Sequence, residues 1–379
     1  MPVFHRTALA QDIASKLVRP PATSASGSGL FLAAARRTGK STFLREDLRP
    51  ALEALGVLVV YADLWENKAA DPGLVIIGAI RGALAQREGV VARLARATGM
   101  EKVTVGGVGF NLDKVGMPDG ASLSAALSAL SDETQRLIVL IIDEAQHAIT
   151  SEAGSNALFA LKAARDELNS SAHHGLRIVA TCSNRNKLAM LRASKDQAFF
   201  GAPLVAFPPL GKDYIAWFIA RLDFKDELDV ELVHDWFSKA AFRPEVLGAA
   251  VDALTFDLAV QRGGYAHQLQ ALVDEQIQAS NAEALRVVHS LTPLQSAVLR
   301  VMAMTGIDYA PFEQGTMERY QAVLSKTAPD AKVEPDTANV QQALIALQDK
   351  RLVWRAARGV YALEDTFLAE LMCNAGMLT

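Results

Sequence analysis

The chain is short of cysteine, of aromatic residues and of net charge, and each scarcity removes a class of protein. Its two cysteines, Cys182 and Cys373, stand far apart and match no metal-ligand spacing. A disulfide scaffold and a zinc module are therefore excluded, and the pair reads as free thiols in a reducing compartment. Aromatic residues make up only 7% of the chain, whereas alanine and leucine are abundant. That bias favours helices covering a modest sheet. A formal net charge of −4 gives no global basic field, so nucleic-acid contact would need a local patch. The longest apolar runs, such as residues 137–142, are too short to span a bilayer. Residues 1–18 lack a secretory apolar core. The expectation is a soluble cytoplasmic protein with no membrane attachment. With 379 residues, half of them apolar, two or three domains are expected.

What is present is a phosphate-binding pattern, Ala34-Ala35-Arg36-Arg37-Thr38-Gly39-Lys40-Ser41, followed by Thr42. It comes after an apolar run that reads as a buried strand, and it opens a helical pattern carrying Phe43, Leu44 and Leu48. Strand, tight turn and helix N-terminus are the context such a loop needs. Backbone N–H groups and the helix dipole would hold an anion there. Ala35 to Thr42 would bind a nucleotide, with Lys40 reaching the β- and γ-phosphates and Ser41 ligating Mg²⁺. Ala34 stands where the usual pattern begins with glycine, and it must tolerate the backbone angles of that position.

The partner motif is the apolar run 137–142 ending in Asp143 and Glu144. Such a run is a strand buried on both faces, and its acids leave at the carboxyl edge, where ligands bind in these folds. Asp143 would hold Mg²⁺ through its water shell, and Glu144 would orient or activate the attacking water. Taken alone, the pair also fits a strand ending in surface acids; Lys40 favours the catalytic reading. A further strand over 176–181 ends near Ser183 and Asn184. Either would reach the γ-phosphate or the lytic water, or else cap a following helix.

Strand and helix patterns alternate from about residue 30 to 210. Strands are expected over 57–61, 136–142, 176–181 and 203–207. Helices are expected over 6–17, 74–97, 122–130 and 156–168, the last with Arg165 and Asp166 outward. This is an α/β class: a three-layer αβα core of P-loop NTPase type with a parallel sheet. Residues 102–112 read as an inserted β-hairpin around Gly106-Gly107, either an edge ornament or a substrate or partner contact. Only helical spacing remains over 212–282. Residues 291–375 then read as three helices, two short strands and a last helix, which is the winged-helix order. The expected domains are a core over 1–210, a helical lid over 211–283 and a winged-helix domain over 284–379.

These motifs, in this order, resemble AAA+-like ATPases. More narrowly, Arg36-Arg37-Thr38-Gly39-Lys40-Ser41, Asp143-Glu144-Ala145-Gln146 and the C-terminal module resemble the archaeal-type ATPase family, near the signal-transduction (STAND) branch. The resemblance implies ATP as the nucleotide and Mg²⁺ as the metal. It makes Asn184 a sensor at the fourth strand and Arg243, before a lid helix, a second sensor reaching the γ-phosphate. Read from the residues alone, Arg243 is equally an exposed arginine at a helix start. Relatives often carry a Gly-Arg pair that supplies an arginine finger to a neighbouring subunit; here that place is Gly201-Ala202. Arg192 and Lys195 are the nearby basic substitutes. Without a clear finger, slow hydrolysis is expected, and oligomerisation stays open.

Two functions follow. One is a nucleotide-controlled switch that binds ATP or ADP and recruits a protein partner. The other is a DNA-associated ATPase, using Gln341, Gln342, Gln348, Lys350, Arg351, Arg355 and Arg358 on the winged helix to meet DNA. A core that binds nucleotide without turnover is the third possibility.

Overall fold

The structure is a computed structural model that describes residues 2–20, 27, 29–34, 37–67, 70–87, 122–170, 173–183, 198–256, 263–357 and 359–378. The chain divides into two compact units. One, the sheet unit, comprises His5–Ala33 and Ser41–Phe207; the other, the helical unit, comprises Met1–Phe4, Ala34–Lys40 and Pro208–Thr379.

Five parallel strands form the sheet: β1 (Leu30–Ala33), β2 (Leu58–Asp63), β3 (Ile138–Asp143), β4 (Leu176–Cys182) and β5 (Leu204–Ala206). Their order is β2-β3-β4-β1-β5. Every residue of β3 is buried, which is why this stretch is apolar without alternation. Ile138, Leu140 and Ile142 join one hydrophobic cluster with Ile76, Ile80 and Leu127. Val139 and Ile141 are equally buried outside that cluster, as residues of the opposite strand parity must be. Helices α4 (Pro72–Ala85), α5 (Leu123–Thr134) and α6 (Glu152–Ser170) pack on one another beside the sheet. Asp71 and Ser122 cap the first two, accepting from Gly73 N at 2.7 Å and Ala125 N at 3.1 Å.

Truncating the centre of β3 tests this core. Leu140→Ala should lower stability by about 2–5 kcal/mol, read from the midpoint of urea unfolding at unchanged slope.

A second helical layer comprises α1 (Thr7–Val18) and the run from α2 (Lys40–Phe43) through a π-helical turn, Leu44–Leu48, into α3 (Arg49–Ala54). Buried Asp47 on the π turn accepts from Arg6 N at 3.1 Å and pairs with His5 Nδ1 at 2.8 Å, fixing the start of α1. The Arg6 guanidinium lies 4.8 Å from the centre of the Phe207 ring, which packs on Phe43 at 5.0 Å.

The helical unit holds two hydrophobic cores. The first gathers Tyr214, Trp236, Phe237 and Leu247 from α7 (Lys212–Ile219), α8 (Val230–Lys239) and α9 (Pro244–Phe256), with Leu269 of the long α10 (Tyr265–His289). The second begins at Val288 of α10 and takes in α11 (Pro293–Thr305), α12 (Gln314–Thr327), α13 (Thr337–Asp349), strands β6 (Val353–Ala357) and β7 (Val360–Leu363), and α14 (Phe367–Asn374). A capping box at Thr292 and Gln295 opens α11, and Asp336 caps α13. The antiparallel hairpin of β6 and β7 follows α13 and precedes α14. The expected lid boundary at 283/284 falls inside α10, which runs unbroken from one core into the other. Among the described residues no helix is long and apolar enough to cross a membrane.

Candidate functional site

The strand order places the site. From β1 the chain moves to β2 on one side, and from β4 to β5 on the other. The direction of travel thus reverses at β1 and β4, which lie side by side, and such a switch point is where open α/β sheets bind ligands. In-register pairing brings Ala33 beside Cys182 and Asp63 beside Asp143. The carboxyl ends of β1, β3 and β4 therefore share one edge.

Asp143 is 1% exposed and held from both neighbouring strands. Tyr61 Oη of β2 donates to its Oδ2 at 3.0 Å, and Thr181 Oγ1 of β4 donates to its Oδ1. Glu144 N also donates to Oδ1, at 3.1 Å. Burial pushes the Tyr61 phenol well above its ordinary value, and the charge of Asp143 adds to the shift. The hydroxyl stays protonated and remains a donor. Arg45, on the π turn, lies 5.2 Å from the centre of the Tyr61 ring and pairs with Asp63 at 2.5 Å. A buried carboxylate held this way is fixed in place, and losing a donor would cost about 1–3 kcal/mol.

Glu144 adopts a left-handed backbone, φ 55° and ψ 44°. For a residue with a Cβ this is strained, and it turns the chain sharply out of β3. Its carboxylate then reaches Ser183, whose Oγ donates to Oε2 at 3.2 Å, just beyond β4. Gln146 Nε2 donates to the same oxygen at 2.6 Å.

In the phosphate loop, Arg37 and Gly39 have positive φ, 63° and 81°. Glycine meets that demand at position 39 without strain. Ala34 is not among the positive-φ residues, so alanine stands there comfortably. Thr38 and Lys40 are each 6% exposed, and Ser41 and Thr42 lie in the first turn of α2. Arg37 Nη1 is 3.7 Å from Glu245 Oε1 in the first turn of α9.

The oxygen donors suit Mg²⁺. Ser41 supplies a hydroxyl, and Asp143 a carboxylate already engaged by two hydroxyl donors, which fits holding a hydrated ion. Among the described residues no group of three or more His, Cys, Asp or Glu side chains would hold a metal alone.

Ala35, Arg36, Asn184, Arg192, Lys195, Arg358 and the 102–112 segment lie outside the described residues. Arg243 Nε donates to Ala240 O at 3.0 Å and Nη1 to Ser280 Oγ at 3.4 Å, with the guanidinium 5.6 Å from the centre of the Phe367 ring. The structure thus seats Arg243 between α10 and α14. Ala202 is fully buried, leaving no room there for a projecting arginine. Arg165 faces inward, not outward: it is 7% exposed and its guanidinium lies 5.7 Å from the centre of the Phe199 ring. Neither cysteine forms a disulfide; Cys182 is buried and Cys373 exposed. Tyr61, Thr181 and Arg45 were missed by sequence reasoning. The available signal was a hydroxyl side chain near the carboxyl end of an otherwise apolar strand.

Taken together, the parallel strand order, the loop after β1 and the acidic pair after β3 define an α/β fold of P-loop type. No family model and no curated protein matches the chain. Solved structures do. The Walker-type ATPase PABY2304 of Pyrococcus abyssi aligns with a TM-score of 0.51 at 17% identity, over 98% of this chain and 96% of that one. The Aeropyrum pernix ORC2 protein in its ADP form aligns with a TM-score of 0.52 at 15% identity, over 100% and 97%. The chain is similar to both in fold, across nearly their whole lengths.

Proposed function

We propose that this chain binds ATP with Mg²⁺, hydrolyses it slowly and acts as a nucleotide-controlled switch for a protein partner. The observation that carries this reading is the buried Asp143, followed by Glu144, on the strand edge shared with the end of β1. Loop amides from Ala35 to Gly39 and the Lys40 ammonium would hold the phosphates. Ser41 and Asp143 would hold the metal, with Tyr61 and Thr181 fixing the carboxylate. When bound, Mg²⁺ neutralises phosphate charge. Glu144 would orient water, and Asn184, which follows Ser183 in the sequence, would sense the γ-phosphate. Arg192 is the candidate finger, since Ala202 is core. ADP in the Aeropyrum ORC2 structure supports the choice of ligand.

The helical unit supports the switch. Arg37 of the loop meets Glu245 of α9, and Arg243, one residue before α9, meets α10 and α14. A change in the loop would therefore reach the C-terminal module, with α10 as a rigid carrier. Displaced from its seat, Arg243 would serve as the second sensor.

One observation favours a second reading, a DNA-associated ATPase. Lys350, Arg351 and Arg355 are exposed together at the end of α13 and on β6, as a winged helix would present them to phosphates. ATP turnover measured with and without duplex DNA at low salt separates the readings. The switch reading expects no change and no DNA binding. A several-fold stimulation would replace it with the DNA reading.

A further inference from the structure

We propose that Gln146 and Ser183 are positioning residues for hydrolysis, holding one carboxylate oxygen of Glu144 where the water-orienting group must stand. The inference rests on the role of Glu144 given above and adds the pair that aims it. Gln146 lies on the 3-10 turn Ala145–Thr150, directly after Glu144, and is fully buried. Its Nε2 donates to Glu144 Oε2 at 2.6 Å. Ser183 is 8% exposed and donates to the same oxygen at 3.2 Å from the end of β4. The two donors come from places far apart in the chain, the turn after β3 and the residue that follows β4. A glutamate stem has rotamer freedom, and donors on rigid elements remove it before substrate arrives. The left-handed turn at Glu144 fixes where that stem begins.

A second observation separates positioning from simple packing. Gln146 Oε1 is buried and has no hydrogen-bond partner among the described residues. Turning the amide over would set this oxygen against the Glu144 carboxylate, acceptor against acceptor. The orphaned oxygen is a cost to folding. An apolar side chain of equal length would fill the same space without it. What glutamine adds at this place is the donor to Glu144.

Gln146→Met tests the proposal, because methionine keeps the length and removes both polar atoms. ATP turnover should fall about tenfold to a hundredfold, while ATP affinity is unchanged and Tm is unchanged or raised. Ser183→Ala should lower turnover by about threefold, and Ser183→Thr should restore it. In a Glu144→Gln background, Gln146→Met should cause no further loss, since it acts only through that carboxylate. Unchanged turnover in Gln146→Met overturns the proposal. So does a loss that follows Tm downward, or an independent loss in the double variant. Glu144→Gln that by itself leaves turnover intact is a separate failure: it removes the role of Glu144, and the proposal with it.

Discussion

Glu144→Gln should reduce ATP turnover by about 10²–10⁴-fold while ATP binding stays close to wild type. Glutamine keeps the shape of the side chain and an acceptor for Gln146 and Ser183, both of which now bond Glu144 Oε2. It removes the negative charge that would orient and deprotonate water. The phosphates are assigned to the loop and Lys40, so binding should not depend on this carboxylate. Single-turnover hydrolysis and equilibrium nucleotide binding, measured on the same preparation, check both halves. Unchanged hydrolysis would take Glu144 out of the chemistry; lost binding would make it part of the nucleotide cradle instead.

Lys40→Met carries the other large effect. Hydrogen bonds to charged groups contribute about 1.5–3 kcal/mol, so ATP affinity should fall by about 10- to 100-fold. Lys40 is only 6% exposed, and methionine matches its stem in bulk. The protection that saturating ATP gives against thermal unfolding, measured for each protein against its own nucleotide-free state, should shrink. At a hundred times its dissociation constant a ligand adds about 2.7 kcal/mol to stability. A variant that binds a hundredfold more weakly should lose most of that gain at the same ATP concentration.

Much of the fold was legible because its signals are local. The apolar run of β3 needs both faces buried, and it is buried at every residue. Thr292, Asp336 and Ser122 cap helices because their side chains meet backbone N–H groups three residues on, a distance that any sequence displays. The hairpin of β6 and β7 follows from two short apolar runs around Gly359, whose φ of 80° suits the turn. The acidic pair was legible too, since strand ends and charge coincide there.

What surrounds that pair was not legible. Tyr61 and Thr181 lie 82 and 38 residues from Asp143 in the chain. They meet it only because β2 and β4 flank β3, and strand order is a property of the whole sheet. Arg165 was expected outward because its helical position adjoins other charges. The buried Phe199 ring, distant in sequence, gives its guanidinium a face to lie on. The π turn that carries Arg45 and Asp47 has no composition of its own, since its residues keep ordinary helical angles at the flanks.

At the centre of the proposed function stands Mg²⁺-dependent binding of ATP at the loop that ends in Lys40. Calorimetric titration of ATP into the wild-type chain and into Lys40→Met, with and without Mg²⁺, tests it most directly. One ATP per chain should bind saturably, more tightly with Mg²⁺ and more weakly in Lys40→Met. No saturable binding in the wild type, or equal binding in the variant, would contradict it.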